Sequence, residues 1–461
     1  MSSALMKIYH ALPAPLRSLA ASWHGYRLRR WRYGAETDRL AAQARERENW
    51  TPAQWQRWES EQLARLLTRA AMRVPYYRQY WRERRENGDA ASFEVLANWP
   101  VLQKETLRHE TASFVADDCD KAKMVCEHTS GTTGTPVDLW QSRDTTRAWY
   151  ALYEARTRGW YGVSRRDRWG IVGAQRVVPL ETKSPPFWVW NAGLNQLYLS
   201  ALHVAPWSSA AYLQAIKKHR LKYLLGYTNS LVFLAQAALE AKEKLQLDVV
   251  ITNGEQVTAR QRKIMEEGFG CPVRETYGMS EAAAAAGECE AGCLHLWPDV
   301  GHVEILDDDY RPVPAGTPGR IITTGLLNFD MPLIRYDTRD TASLPADPKP
   351  CSCGRTLPVL ADLLGRADDV LVTKDGRRLV QIDGIFGSDL HIKEGQIVQK
   401  SYDAYCVRVV PSAGWSQTDA DKLRADLKQR VGDAAVTVEV VEHIDRTWAG
   451  KFRIIISEIK R

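Results

Sequence analysis

No part of this 461-residue sequence is both long and apolar enough to read as a membrane span. The segment Ser184 to Ile216 holds no Lys, Arg, Asp or Glu, but Pro185, Pro186, Asn191, Asn195, Gln196, His203 and Pro206 interrupt it. It is read as buried strand and loop material, suited to lining a pocket. A secretory leader is missing as well, because the N-terminus has no long apolar core followed by a small-residue cleavage site. The expected location is cytoplasmic. Cysteine is scarce, eight residues, too few for a disulfide scaffold in a chain of this size. Cys126, Cys271 and Cys406 lie among apolar residues and are expected to be ordinary buried thiols. Excess charge is slight too. The net charge is +6, with no long basic stripe, which argues against nucleic acid and fits an anionic small ligand such as a nucleotide.

What is present is apolar material for a large core, 44% of the residues, in a chain too long for one ordinary compact domain. Residues 1–110 read as helical. Pro52 to Arg73 has helical spacing with Trp55, Trp58, Leu63, Leu66 and Leu67 directed inward. Thr51 before Pro52 is a capping hydroxyl followed by a first-turn proline, and Val74 before Pro75 closes the same helix. From 111 to 365 short apolar strands alternate with helices, the pattern of a largely parallel α/β domain. Residues 366–461 change character. Strands at Val370 to Thr373, Ala404 to Pro411 and Ala435 to Val441, with a helix at Thr418 to Val431, make a small α+β unit.

The run His24 to Arg32 is basic and aromatic. It could lie on an anionic membrane surface, or be a solvated helix face whose Trp31 packs on the body; the short apolar length favours the second reading.

The clearest chemical segment is Thr129-Ser130-Gly131-Thr132-Thr133-Gly134-Thr135-Pro136. Two glycines permit a sharp turn, and the hydroxyls and amides can wrap polyphosphate oxygens. It is not a Walker A loop, since the terminal Gly-Lys-Ser/Thr is absent. By composition alone a polar surface loop is the plainer reading.

This segment is similar to the phosphate loop of the acyl-adenylate-forming superfamily. Four further motifs follow in that superfamily's order: Thr276-Tyr277-Gly278-Met279-Ser280-Glu281, Arg335-Tyr336-Asp337-Thr338-Arg339-Asp340, Gly365-Arg366-Ala367-Asp368-Asp369, and Gly450-Lys451-Phe452-Arg453. With Cys351-Ser352-Cys353-Gly354-Arg355 and the long helical N-terminus, the chain resembles the phenylacetate–CoA ligase family, in particular its branch found with capsular and exopolysaccharide genes. The resemblance implies a large α/β adenylate-forming domain with a helical N-terminal extension and a small mobile α+β C-terminal domain.

It also implies roles. Ser130, Gly131, Thr132, Thr133 and Gly134 would hold the ATP phosphates, although Thr135 stands where the superfamily often has lysine. Glu281 would bind Mg²⁺, a hard ion that prefers oxygen; the alternative is a helix-start glutamate favoured by the helix dipole. Tyr277 and Gly278 would lie near the adenine, and Thr276 or Ser280 would reach a phosphate or carboxylate oxygen. Gly254 and Glu255 belong to the adenine loop. Asp340 would accept from both ribose hydroxyls, or else pair with Arg339 or Arg335. Arg366 would contact ribose or phosphate. Lys451 would reach the α-phosphate from the small domain, which swings about a hinge at Arg366 to Asp369.

Cys289, His295, Cys351 and Cys353 form a donor set typical of structural zinc, with Cys293 as second choice and buried free thiols as the alternative. The resemblance places the acid pocket between the Trp169 to Tyr198 region, Gly226-Tyr227 and the loop around Thr276; Trp188, Trp190, Tyr198 and Tyr227 there suit an aryl or apolar acid, and for each singly a core position is the safer reading. Three functions are compatible with these residues. The first is acid–CoA ligation through an acyl-AMP. The second is adenylation followed by transfer to an amine, amino acid or carrier thiol in surface-polysaccharide assembly. The third is an inactive nucleotide-binding scaffold. The acid, the acceptor and the oligomeric state stay open.

Overall fold

Thr51 caps the helix Pro52–Arg73 in a full capping box, accepting from the Gln54 amide while the Gln54 side chain returns to the Thr51 amide. Two of the helix's first orphan donors are thereby satisfied. Helices Ser3–Ala11, Ala14–Arg32, Ala35–Arg47, Pro75–Glu86 and Lys104–His109 make up the rest of the helical N-terminal region. Trp55, Leu66 and Leu67 are buried, and Trp58 and Leu63 pack against the same core. The computed structural model describes residues 3–128, 137–366, 371–374, 378–379, 385–386, 390–446 and 453–459.

The centre is a nine-stranded sheet. Five parallel strands form its middle, in the spatial order Gln196–Ser200, Trp169–Gly173, Tyr223–Tyr227, Val249–Asn253, Val273–Gly278. The helices Ser209–Lys218, Thr228–Glu240 and Ala259–Phe269 connect several of them, so the first four strands are covered and read as largely apolar runs, while Val273–Gly278, with Arg274 and Glu275, is half-buried. Antiparallel strands flank both sides: Trp188–Asn191 at one edge, and Ala285–Glu288, Leu294–Leu296 and Val359–Leu360 at the other. The helix Ala14–Arg32 covers the outer edge strand. The amides of Trp190 and Ala192 donate to Ser18 Oγ and Ser22 Oγ at 3.3 and 3.0 Å. A Cβ on Gly25 would lie 1.9 Å from Asn191 Oδ1, so only glycine permits that approach.

A second, antiparallel sheet runs Gly301–Leu306, Gly319–Gly325, Tyr336–Ser343, Asp362–Arg366. The C-terminal unit has its own core, built from Leu371 onward around Ile397, Val407, Leu423 and Leu427. Its four-stranded sheet runs Ala435–Val440, Ala404–Pro411, Ile392–Ser401, Ile455–Ser457, with the helix Gln417–Val431 beside it. The long strand Ile392–Ser401 carries no clean sequence signal, because Gly395, Gln396 and Gln399 interrupt its apolar alternation. The helix Arg143–Leu152 widens into a π turn at Tyr153–Arg158. Cys271 and Cys406 are buried as expected, whereas Cys126 is only half-buried, at the rim of the main cavity.

Candidate active site

The parallel strands end, at their carboxyl edge, on one large cavity of about 1800 Å³, the usual place for a ligand in such sheets. Asn253, Gly254, Glu255, Thr276, Tyr277, Gly278, Ser280, Glu281, Asp340 and Gly365 all line it. Ser130, Gly131, Thr132, Thr133, Gly134 and Lys451, and the hinge residues after Arg366, lie outside the described residues. Their flanks are described. Val125–His128 and Asp138–Gln141, which bracket the phosphate loop, pair with each other, His128 opposite Asp138, and Val125, Cys126 and Glu127 line the cavity. Arg453, Ile454 and Ile455, just after Lys451, line it too.

Glu281 is not at a helix start. It lies in the turn between the strands Val273–Gly278 and Ala285–Glu288, tight enough to put Ala282 in the left-handed region at φ 49°. Its side chain is 7% exposed. The Tyr336 hydroxyl donates to Glu281 Oε1 at 2.9 Å, and Lys104 Nζ approaches the same oxygen at 3.3 Å. Among the described residues Oε2 has no partner, so half of the carboxylate is fixed and half is available. Burial, then the Glu281 charge, pushes the Tyr336 phenol well above its ordinary pKa, so it stays a donor.

Asp340 accepts from the Tyr277 hydroxyl at 2.9 Å. Burial and the Asp340 carboxylate hold that phenol protonated as well. Arg335 is engaged elsewhere, with Glu304 at 3.1 and 3.2 Å and with the carbonyls of Ala97 and Trp99. Arg366 stands directly opposite Asp340 in the strand register. The Thr276 hydroxyl donates to the Thr252 carbonyl at 2.7 Å, which commits its proton and leaves its lone pairs. Glu255 turns its carboxylate onto the start of the helix Thr228–Glu240, accepting from the Asn229 amide at 2.9 Å, and both residues line the cavity. Ser280 is exposed.

Lys104 and Tyr336 had no assigned role in the sequence. Tyr336 sits inside a recognised motif, so its position was visible and its task was not. Lys104 comes from the helical region. Leu102 adds to the strand beside Tyr336 through two backbone bonds, at 2.9 and 3.0 Å, and this carries Lys104 to Glu281. Only that long-range pairing reveals it.

The aromatics of the expected acid pocket divide between cavity and core. Tyr198 and Tyr227 line the cavity, with Trp149, Tyr150, Tyr153 and Trp169. Trp188 and Trp190 do not. They alternate with Val189 and Asn191, which face the cavity, and they pack on the far side near Tyr212 and His219.

Away from this cleft, the ligand atoms of Cys289, His295, Cys351 and Cys353 all lie within 4.8 Å of one another. Cys289 Sγ to Cys351 Sγ is 3.6 Å and Cys353 Sγ to His295 Nε2 is 3.4 Å. Sulfurs sharing a tetrahedral zinc at about 2.3 Å would be about 3.8 Å apart. His295 Nδ1 lies 2.9 Å from the Leu357 carbonyl, which fixes the donor there and turns the Nε2 lone pair toward the thiols. Cys293 is outside this group.

Comparison with known proteins agrees with this arrangement. The family described as AMP-binding enzyme matches residues 56–330, and the CapK C-terminal domain matches 371–458. Protein CapK of Staphylococcus aureus is 26% identical over 398 residues, covering 84% of this chain and 85% of that one. A phenylacetate-coenzyme A ligase of Thermus thermophilus is 27% identical over 334 residues, 68% of this chain and 71% of that one. In three dimensions the chain is similar to a 2-hydroxyisobutyryl-CoA ligase in the postadenylation state, with a TM-score of 0.70, 22% identity, and coverage of 89% and 91%. No described helix is long and apolar enough to cross a membrane. With more than half of its length matched by that family, the chain belongs to the AMP-binding enzymes.

Proposed function

We propose that this protein uses ATP to activate a carboxylic acid, releasing pyrophosphate, and passes the acyl group from AMP to coenzyme A. One observation carries the reading. Glu281 held by Tyr336, Asp340 held by Tyr277, and the described flanks of both the phosphate loop and Lys451 line a single cavity. The reaction needs this convergence, because charge builds on phosphorus while the carboxylate attacks. The names of the related phenylacetate- and 2-hydroxyisobutyryl-CoA ligases support it.

Ser130 to Gly134 would hold the β- and γ-phosphates. Glu281 would offer Oε2 to Mg²⁺, which when bound neutralises phosphate charge. Asp340 would accept the ribose hydroxyls, the 253–255 loop and Tyr277 would enclose the adenine, and Lys451 would reach the α-phosphate. Residues 1–110 and 111–365 would form the large domain and 366–461 the lid, in a cytoplasmic enzyme. A second reading keeps adenylation and gives the acyl group to an amine, amino acid or carrier thiol; the match of 371–458 to the CapK C-terminal domain favours it.

The test is a panel of carboxylic acids read by pyrophosphate release, then product analysis with and without coenzyme A. If no acid raises release above the Glu281→Ala and Lys451→Ala variants, the scaffold reading replaces both. Asp340→Asn should raise the KM for ATP about 100-fold by steady-state kinetics and leave the KM for the acid nearly unchanged, since a hydrogen bond to a charged acceptor contributes about 1.5–3 kcal/mol.

Zinc would sit on Cys289, His295, Cys351 and Cys353 as a closed structural site, since four protein donors leave no position open for chemistry. Metal analysis should find one zinc per chain. Cys351→Ser should lose it and lower the Tm by about 5–10 °C.

A further inference from the structure

The chain's net charge of +6 is concentrated at one end. The first 35 residues contain Lys7, Arg17, Arg27, Arg29, Arg30 and Arg32 and no Asp or Glu, which leaves the rest of the sequence with as many acidic as basic side chains. These residues form the helices Ser3–Ala11 and Ala14–Arg32.

The longer helix has two distinct sides. Ser18, Ser22 and Gly25 pack on the sheet edge, as described above. Leu16, Leu19, Trp23 and Tyr26, at spacings of three and four that hold them on one face, are turned away and are 46–64% exposed. Ile8 on the preceding helix is 62% exposed. Lys7, Arg27 and Arg30 are exposed beside this stripe, and the Arg27 guanidinium lies 4.9 Å from the Trp23 ring centre. Trp31, by contrast, is half-buried against Arg143, so the body-packed residue expected in the basic run ends the exposed stripe rather than extending it.

We propose that this face docks on a lipid bilayer bearing anionic headgroups. A row of leucine, tryptophan and tyrosine edged by arginines, with no acidic residue nearby in sequence, suits a helix lying in the interface. Its rings and aliphatic chains enter the headgroup boundary while the guanidinium groups reach phosphates. Long basic side chains can keep their stems in the apolar layer and their charge in water. The stripe is short, and no described helix can span a bilayer, so the association is peripheral. Ile8 of the shorter helix and Ala20, Trp23 and Arg27 of the longer one also line the main cavity. Docking therefore holds the outer rim of the cleft at the lipid surface.

The inference does not depend on the chemistry proposed above, because vesicle binding is read without nucleotide. The full chain would be sedimented with vesicles of phosphatidylcholine alone and with about 30% phosphatidylglycerol. Expected is binding at least about tenfold stronger to the anionic vesicles, weakening as salt is raised. Leu16→Glu/Leu19→Glu and Lys7→Glu/Arg30→Glu, none of which alters the cavity lining, should each weaken it about tenfold or more with Tm unchanged. Absence of binding to either vesicle, equal binding to both, or binding that neither variant weakens would overturn the proposal. A dimer in solution that Leu16→Glu/Leu19→Glu dissociates, without lipid binding, would also overturn it and assign the face to a second copy of the chain.

Discussion

Glu281→Gln should lower acid-dependent pyrophosphate release by about two to three orders of magnitude, with a Tm close to that of the wild type. The substitution preserves shape. The Tyr336 hydroxyl can still donate to the amide oxygen as it does to Oε1, so the turn after the strand Val273–Gly278 keeps its anchor. What is lost is the negative charge. With the amide oxygen on Tyr336, the Oε2 position, free of described partners, becomes an amide nitrogen, which has no lone pair to offer a hard divalent ion. Lys104, 19% exposed, loses its counter-charge but keeps access to water, so the stability cost is small. The magnesium dependence of the rate separates this from a structural role. The variant should need far more Mg²⁺ for half-maximal rate, whereas a folding defect would lower the amplitude at unchanged dependence. An unchanged rate in Glu281→Gln would remove the metal role from this residue.

Local chemistry was legible in the sequence wherever one stretch of chain determines it. Thr51-Pro52 and Val74-Pro75 mark the ends of a helix because caps and proline act within a turn. The apolar run Val249–Asn253 announces a parallel strand because both of its faces are covered. Features that depend on distant pairing were not legible. Lys104 reaches Glu281 only because Leu102 joins the Tyr336 strand. The choice between Trp188 and Val189 as cavity lining depends on which face of the strand meets solvent, and alternation alone gives the two faces without saying which is which. Glu255 was placed in the adenine loop because it follows a strand end, and it does line the cavity; that its carboxylate also accepts from Asn229, at the start of the earlier helix Thr228–Glu240, depends on a distant pairing. The cysteine cluster was readable as a donor set. The choice of Cys289 over Cys293 follows from the turn in which the Cys289 amide bonds the Cys293 carbonyl at 2.9 Å, and only three-dimensional closure on Cys351 and His295 decides it.

Lys451→Ala should reduce adenylation about 1000-fold while leaving thioester formation from supplied acyl-adenylate within about fivefold of wild type. Ile455 pairs with Ile397 in the small sheet, and the Arg453 carbonyl accepts from Gln396 Nε2 at 2.8 Å, which fixes the strand's entry. Arg453 lines the cavity. Two peptide links cannot place the Lys451 backbone more than about 7 Å from Arg453, and a lysine stem adds about as much again, so an ammonium can reach the cleft. Its use would be confined to the first half-reaction, when the carboxylate attacks the α-phosphorus and pyrophosphate leaves; in the second, the thiol attacks the carbonyl and AMP leaves with the electron pair of the broken C–O bond. A compact cation on a flexible stem suits such transient service. Lys451→Arg, with a planar fork in place of a point charge, should recover little. Equal loss in both half-reactions would mean that the residue supports the small domain's fold rather than phosphate chemistry, and a variant that adenylates normally would place the cation elsewhere, with Lys104 the nearest described alternative at 3.3 Å from Glu281.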